Sequence, residues 1–132
     1  MHYLEPNQDY RDSTLREDTE LSVEELKADA EKHYDDCYND YLFAWCNKEN
    51  LALHYGYWDE KTKSHHQALI NKNQILYDLA GISASDHVLD AGCGIGGSSI
   101  WMAKQHGNQM TAITISKQQT EHAAQHAKRQ GV

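Results

Sequence analysis

The residues best suited to chemistry form a short acidic and glycine-rich segment in the second half of the chain. Residues 88–97 read Val-Leu-Asp-Ala-Gly-Cys-Gly-Ile-Gly-Gly. Gly92, Gly94 and Gly97 have the spacing G-x-G-x-x-G, which is typical of nucleotide binding where a strand turns into a helix. Closely spaced glycines let the backbone approach a ligand that a Cβ would hold away. The segment therefore predicts a nucleotide-binding turn; the alternative is an ordinary turn between a strand and a helix.

The acidic residue of this segment, Asp90, indicates which kind of nucleotide would fit. In a dinucleotide site the pyrophosphate lies against such a turn and the helix N-terminus, where negative charge is favoured. A carboxylate at the strand tip would repel that anion and attract a cation. S-adenosylmethionine (SAM) carries an ammonium on its methionine arm and a sulfonium beside it. Asp90 therefore favours this cofactor.

The same ten residues closely resemble the first motif of class I SAM-dependent methyltransferases. The resemblance implies that Asp90, Gly92 and Gly94 line the pocket for the methionine part of the cofactor. It also implies that Gly97 lets the helix lie close to the strand. The fold it implies is α/β and Rossmann-like, a parallel sheet with helices on both faces, here as an incomplete N-terminal part preceded by helices.

A second motif follows about 20 residues later, where an acid usually binds the ribose hydroxyls. This chain has no carboxylate there. Residues 113–119, Ile-Thr-Ile-Ser-Lys-Gln-Gln, instead resemble G-[IVL]-T-[LI]-S-x-x-Q, found in the branch of tocopherol and sarcosine methyltransferases and cyclopropane fatty-acid synthases. The resemblance implies that Thr114 and Gln119 serve the ribose side of the cofactor. Gln119 fits equally well a helix capping box that begins at Ser116.

An aromatic loop precedes both motifs. Residues 54–58, His-Tyr-Gly-Tyr-Trp, resemble the H-x-G-Y-[WYF] segment of the same branch, which folds over the methionine end of SAM. His54 and Tyr55 are therefore candidates for cofactor or substrate contact. An aromatic face near a sulfonium gains about 1 kcal/mol of cation–π attraction. The alternative is a lid that is packed by its own aromatic side chains.

Capping signals and hydrophobic periods predict the elements that position these segments. Ser22, Ser64 and Ser116 each precede a Glu or Gln by three residues, which predicts three capping boxes. The first predicted helix has a tyrosine-rich stripe that fits core packing better than a pocket wall. We expect helices over 22–47, 64–80, 97–106 and 116–129, strands over 87–90 and 109–114, and a loop over 48–63. This order predicts parallel βαβ connections.

Three regions follow from this order. They are a flexible acidic tail (1–20), an N-terminal helix with an aromatic lid loop (21–63), and the first part of a SAM-binding domain (64–132). Because two parallel strands cannot make a stable open sheet, we expect an N-terminal part of a longer protein. The alternative is a small protein that is completed by self-association, so a homo-oligomer remains open.

Composition excludes several classes of protein. Residues 1–60 carry 16 acidic and 5 basic residues, residues 61–132 carry 4 and 7, and the net charge is −8, which argues against nucleic acid as a partner. No apolar run approaches the roughly 20 residues of a transmembrane span. The three cysteines form no disulfide or zinc pattern and indicate the cytoplasm. His122 and His126 are four residues apart, but no third ligand completes a metal site.

The prediction is a methyltransferase that transfers a methyl group from SAM to a small-molecule or lipid-like acceptor. This chain would carry the cofactor-binding half, would be inactive by itself, and reveals no general base. The alternatives are an NAD(P)-binding oxidoreductase domain, which Asp90 disfavours, and a non-catalytic methyltransferase-like interaction domain.

Overall fold

The computed structural model describes residues 21–44, 46 and 50–132. The predicted acidic tail, residues 1–20, lies outside this range. The described elements, in chain order, are α1 (Val23–Asp36), α2 (Tyr38–Ala44), α3 (His65–Leu79), β1 (His87–Ala91), α4 (Gly97–His106), β2 (Gln109–Ile113) and α5 (Lys117–Gln130).

The two strands form a parallel sheet that is joined by α4. Their register runs from His87 opposite Gln109 to Ala91 opposite Ile113. The arrangement is an incomplete Rossmann-like fold, as the sequence predicted. One face of this small sheet is open, since Leu89 and Ile113 are 62% and 52% exposed.

The predicted helix over residues 22–47 is wrong in one respect, because it is divided at Cys37 into α1 and α2. Neither proline nor glycine stands at the break. Directly after it, the ring of Tyr38 stacks on His122 of α5, with 3.9 Å between the ring centroids. We attribute the break to this tertiary contact, which outweighs helix propensity. The predicted helix end, residues 45 and 47, lies outside the described residues.

Of the three predicted capping boxes, only the first is complete. The Oγ of Ser22 accepts from the N–H of Glu25, whose carboxylate accepts in return from the N–H of Ser22. At α3 and α5 the serine half forms, but the glutamine half does not. The side chain of Gln67 accepts from the N–H of Lys63 instead.

The core that supports the glycine turn comes partly from the predicted loop. Leu51 from that loop clusters with Ile95 and Ile100. The loop lies so close to α4 that a Cβ on Gly97 would be 2.4 Å from the carbonyl oxygen of Leu51. Gly97 is therefore required for contact between α4 and this loop. The close approach of the helix to the strand, which the resemblance implies for Gly97, stays a prediction.

The later part of the loop is attached to α3. A Cβ on Gly56 would lie 2.5 Å from the Cβ of Ala68, and the N–H of Tyr57 donates to the carbonyl of Ala68 at 2.8 Å. Tyr55, Tyr57 and Trp58 are nevertheless exposed. A backbone contact, rather than packed aromatic rings, thus fixes this segment. Within the described ranges, no helix is both long and apolar enough to cross a bilayer.

A candidate cofactor pocket at the glycine turn

A pocket of about 480 Å³ lies at the carboxyl ends of β1 and β2. Ligands of open α/β sheets bind at this edge, and the volume is in the usual range for a small-molecule site. Six of the seven predicted site residues line it: His54, Asp90, Gly92, Gly94, Thr114 and Gln119. The seventh, Tyr55, is not among the lining residues, and its side chain is 79% exposed.

The floor of the pocket is the glycine turn itself. Gly92 and Gly94 have φ angles of 97° and 55°, a region that side chains other than glycine rarely adopt. The N–H groups of Gly92 and Cys93 both donate to the carbonyl of Ile113, at 2.8 and 2.9 Å, which fixes the turn to β2. A Cβ on Gly94 would already be 3.3 Å from the Cδ1 of Leu53. The turn thus presents bare backbone to the pocket.

Asp90, the penultimate residue of β1, supplies the negative charge of the pocket. Its Oδ2 accepts a 2.5 Å hydrogen bond from the Oγ of Ser99 on α4. In the part of the chain that the structure describes, no basic side chain forms an ion pair with Asp90. A carboxylate with a hydroxyl partner, but without a cationic one, suits a positively charged ligand group.

The cysteine of the turn is kept as a thiol by its surroundings. Burial, followed by the negative charge of Asp90, raises the pKa of Cys93 above its ordinary value. The thiolate, which is the nucleophilic form, is therefore disfavoured beside the pocket.

Thr114 and Gln119 form a pair on the β2 side of the pocket. The Oγ1 of Thr114 donates to the Oε1 of Gln119 at 2.7 Å, and Gln119 is buried. The reciprocal bond of the predicted capping box does not form at α5, since the Oε1 of Gln119 accepts from Thr114. Because the amide oxygen has this partner, its NH₂ group is the part suited to donating to a ligand hydroxyl.

A long-range contact joins this pair to the N-terminal helix. The buried hydroxyl of Ser116 accepts from the N–H of Gln119 and donates to the carboxylate of Asp35 at 2.6 Å. The neighbouring residue, Tyr34, lines the pocket. Tyr34 of the predicted stripe therefore contributes to the pocket wall. Tyr38 and Leu42 of the same stripe, on α2, pack against the core cluster that contains Ile95, as predicted for the stripe.

His54 also lines the pocket, and both of its ring nitrogens have partners. Nδ1 is 2.9 Å from the carbonyl oxygen of Tyr55, and Nε2 is 3.1 Å from the Oδ1 of Asn73. Asn73 also accepts from the Oγ of Ser98, another lining residue, at 2.9 Å. Sequence reasoning missed Asn73, although a polar residue one turn from Leu69 on the buried face of α3 was a detectable signal.

Comparison with known proteins decides the family. Residues 22–132 match the family model described as mycolic acid cyclopropane synthetase. The chain belongs to this family of SAM-dependent methyltransferases. The predicted resemblance to class I methyltransferases and the predicted cofactor are thereby confirmed at the level of the family.

Individual relatives agree with this assignment. The chain is 37% identical over 73 residues to O-methyltransferase resE of Aspergillus sclerotiorum, a match that covers 54% of this chain and 28% of that protein. It is 29% identical over 105 residues to a probable fatty acid methyltransferase of Pseudomonas putida, with coverages of 80% and 26%. The chain thus spans less than a third of the length of these curated relatives.

Among solved structures, the chain is similar to the [4+2]-cyclase SpnF, with a TM-score of 0.66 and 27% identity. The match covers 77% of this chain and 37% of SpnF. Since this neighbour is named for a cyclisation, the shared fold alone does not determine the reaction.

Proposed function

We propose that this chain is the cofactor-binding part of an enzyme that transfers a methyl group from SAM to a small-molecule or lipid-like acceptor. The observation that carries the proposal is a single pocket in which the bare glycine backbone, the carboxylate of Asp90 and the Thr114–Gln119 pair face the same space. In this proposal residues 64–132 are the first part of the cofactor domain, and residues 21–63 supply its N-terminal helix and lid loop.

The pocket fits the cofactor in three respects. Gly92 and Gly94 leave room for the methionine part, since neither places a Cβ there. Asp90 would hold the ammonium group by a charge-assisted hydrogen bond. Gln119, with its amide oxygen engaged by Thr114, would donate to the ribose. His54 would form the wall beside the methionine end, and Tyr55 remains a proposed contact for the cofactor or the acceptor at the mouth.

When bound, SAM supplies an electrophilic methyl group on a cationic sulfur. The residues of this chain would hold the donor in one orientation, and such positioning removes a large part of the entropic barrier to a bimolecular reaction. Cys93, kept as a thiol by burial and by Asp90, would not compete for the methyl group. A general base is needed only for an acceptor that must lose a proton. We assign no catalytic residue in this chain.

The class of acceptor rests on the relatives. One is named an O-methyltransferase and another a probable fatty acid methyltransferase. These names support a small or lipid-like acceptor, and the acidic charge of the chain opposes nucleic acid. The cytoplasm is the proposed location, which the three unpaired cysteines support.

Calorimetric titration of the chain with SAM, S-adenosylhomocysteine and NAD tests the proposal. We expect saturable binding of the two methionine-derived nucleotides and none of NAD. Binding of NAD alone would establish the oxidoreductase alternative. A cooperative melting transition would show that the chain is folded. If the folded chain then gives no heat of binding with any of the three ligands, the non-catalytic interaction domain is favoured and cofactor binding by this chain is overturned.

A further inference from the structure

A buried amide lies directly behind the wall of the cofactor pocket. Asn73, in the middle of α3, is 3% exposed and does not line the pocket. Burying an amide is costly unless hydrogen bonds compensate it. It contacts His54 and Ser98, which belong to two different segments and both line the pocket. Asn73 therefore connects α3, the aromatic loop and the first turn of α4 at one point.

The hydrogen bonds of His54 constrain the chemistry of its ring. A backbone carbonyl can only accept, so the contact with the carbonyl of Tyr55 requires a proton on Nδ1. Nε2 faces the amide of Asn73. The NH₂ group of the amide would donate to a neutral ring, whereas its oxygen would accept only from a ring that is protonated on both nitrogens. With both nitrogens engaged, the ring faces the pocket as a wall. It has no nitrogen available to act as a general base there.

We propose that Asn73 is a positioning residue that fixes the orientation and tautomer of the His54 ring and the hydroxyl of Ser98 in the pocket wall. The part of this inference that concerns cofactor affinity rests on the proposed function. The part that concerns the His54 ring does not, because the hydrogen bonds belong to this chain alone.

The first test is ¹⁵N NMR of the histidine ring nitrogens at a pH near 8, above the ordinary titration range of imidazole. The His54 signals are identified by their loss in His54→Phe. In the unmodified chain we expect one ring species with a proton on Nδ1. Asn73→Leu should give a mixture of tautomers, and Asn73→Asp, whose carboxylate can only accept, should move the proton of the neutral ring to Nε2. Unchanged His54 signals in Asn73→Leu would overturn the proposal.

Asn71→Leu is the matched control. Asn71 lies on the same helix and donates to the Oγ1 of Thr62 at 2.7 Å, so its replacement also removes a contact between α3 and the loop. It should leave the His54 signals unchanged. If Asn73→Leu does not fold, Asn73→Thr gives the same test, because its shorter hydroxyl cannot meet both partners. His54 signals in Asn73→Thr identical to those of the unmodified chain would overturn the proposal equally.

The second test is the dissociation constant for S-adenosylhomocysteine. We expect it to rise about tenfold in Asn73→Leu and less than twofold in Asn71→Leu. The double variant with His54→Phe should lose less than the sum of the two single losses, as coupled neighbours do. Equal losses in the two asparagine variants would overturn the role in affinity. If the unmodified chain binds none of the cofactor, the proposed function fails, while the NMR test still decides the role of Asn73.

Discussion

The two sides of the pocket are constructed in different ways. The floor, made of β1, the glycine turn and α4, is close-packed around Ile95 and Ile100 and is pressed against the loop at Gly97. The cover, α1 with α2, contains no buried residue. A carboxylate–hydroxyl hydrogen bond and one ring stack join it to α5. The partly buried Tyr38 and Leu42 of α2 also pack against the core cluster. The floor therefore depends on close steric fit, and the cover on two directed contacts together with partly buried side chains.

This difference predicts how strongly substitutions in each region should affect binding and stability. A substitution that adds a side chain at a glycine of the floor must displace closely packed backbone, so we expect it to cost much free energy. A change in the cover that removes only one polar contact, such as the hydrogen bond of Asp35, should cost about as much as one interaction. The predictions below test this contrast, in order of decreasing effect.

The largest effect is expected at the glycine that faces the ligand. Gly94→Val should reduce SAM affinity more than a hundredfold, because the branched side chain would occupy the pocket beside Leu53. Gly81→Val is the matched control, since Gly81 also has a positive φ but no atom near its Cβ position. Calorimetry should show unchanged affinity in the control. Equal affinity in both variants would rule out the glycine turn as the binding surface.

The next effect is on stability. Gly97→Ala should lower the free energy of unfolding by about 3 kcal/mol, because its methyl group would overlap the backbone at Leu51. Gly107→Ala, at a positive φ in open space, should cost only about 1–2 kcal/mol. Urea denaturation compares the two. A smaller loss at Gly97 than at Gly107 would contradict the close-packed floor.

The charge of the floor should matter for binding and little for folding. Asp90→Asn should weaken SAM binding by ~1.5–3 kcal/mol, the usual contribution of a hydrogen bond to a charged group. Asp86→Asn, in the exposed turn before β1, should leave affinity unchanged. The experiment is calorimetry on both variants, with their melting temperatures as a check on folding. If Asp90→Asn binds SAM as tightly as the unmodified chain, the proposed cation contact is wrong.

The cover should respond to the loss of one hydrogen bond. Asp35→Ala removes the carboxylate that accepts from Ser116, and we expect faster hydrogen exchange in α1 with unchanged exchange in β1 and α4. Asp36→Ala removes only an exposed ion pair with Lys32 within α1 and serves as the control. Mass spectrometry of the exchanged peptides distinguishes them. If hydrogen exchange in α1 stays slow in both variants, the hydrogen bond between Asp35 and Ser116 does not hold the cover in place.

The smallest effect concerns pH. Burial, followed by the positive charges of Arg129 and His122, lowers the pKa of His126 from its ordinary 6.5. The stability that the neutral ring contributes is full above that value and is lost as the pH falls through the lowered pKa of the folded state. Between about pH 7 and 5, His126→Phe should therefore lose less stability than the unmodified chain. Parallel loss, measured by urea denaturation, would exclude this contribution.

Much of the floor could be predicted from sequence because its determinants are local. The glycine spacing, the apolar residues of each strand and the serine caps all lie within a few residues of the structure they specify. The cover could not be predicted in this way. The bond from Asp35 to Ser116 joins residues 81 positions apart. The stack of Tyr38 on His122 lies directly after the break in a helix that has no proline or glycine there. Residues that are far apart in the sequence and come into contact only in the folded chain leave no local sequence pattern from which the contact could be predicted.

The most direct test of the central claim is a backbone-amide NMR titration of the ¹⁵N-labelled chain with SAM. The account predicts that the largest shifts occur at residues 90–98 and 114–119, with smaller shifts at Tyr34 and His54, and that NAD causes none of them. Shifts that cluster elsewhere, or shifts at the glycine turn with NAD and not with SAM, would contradict it.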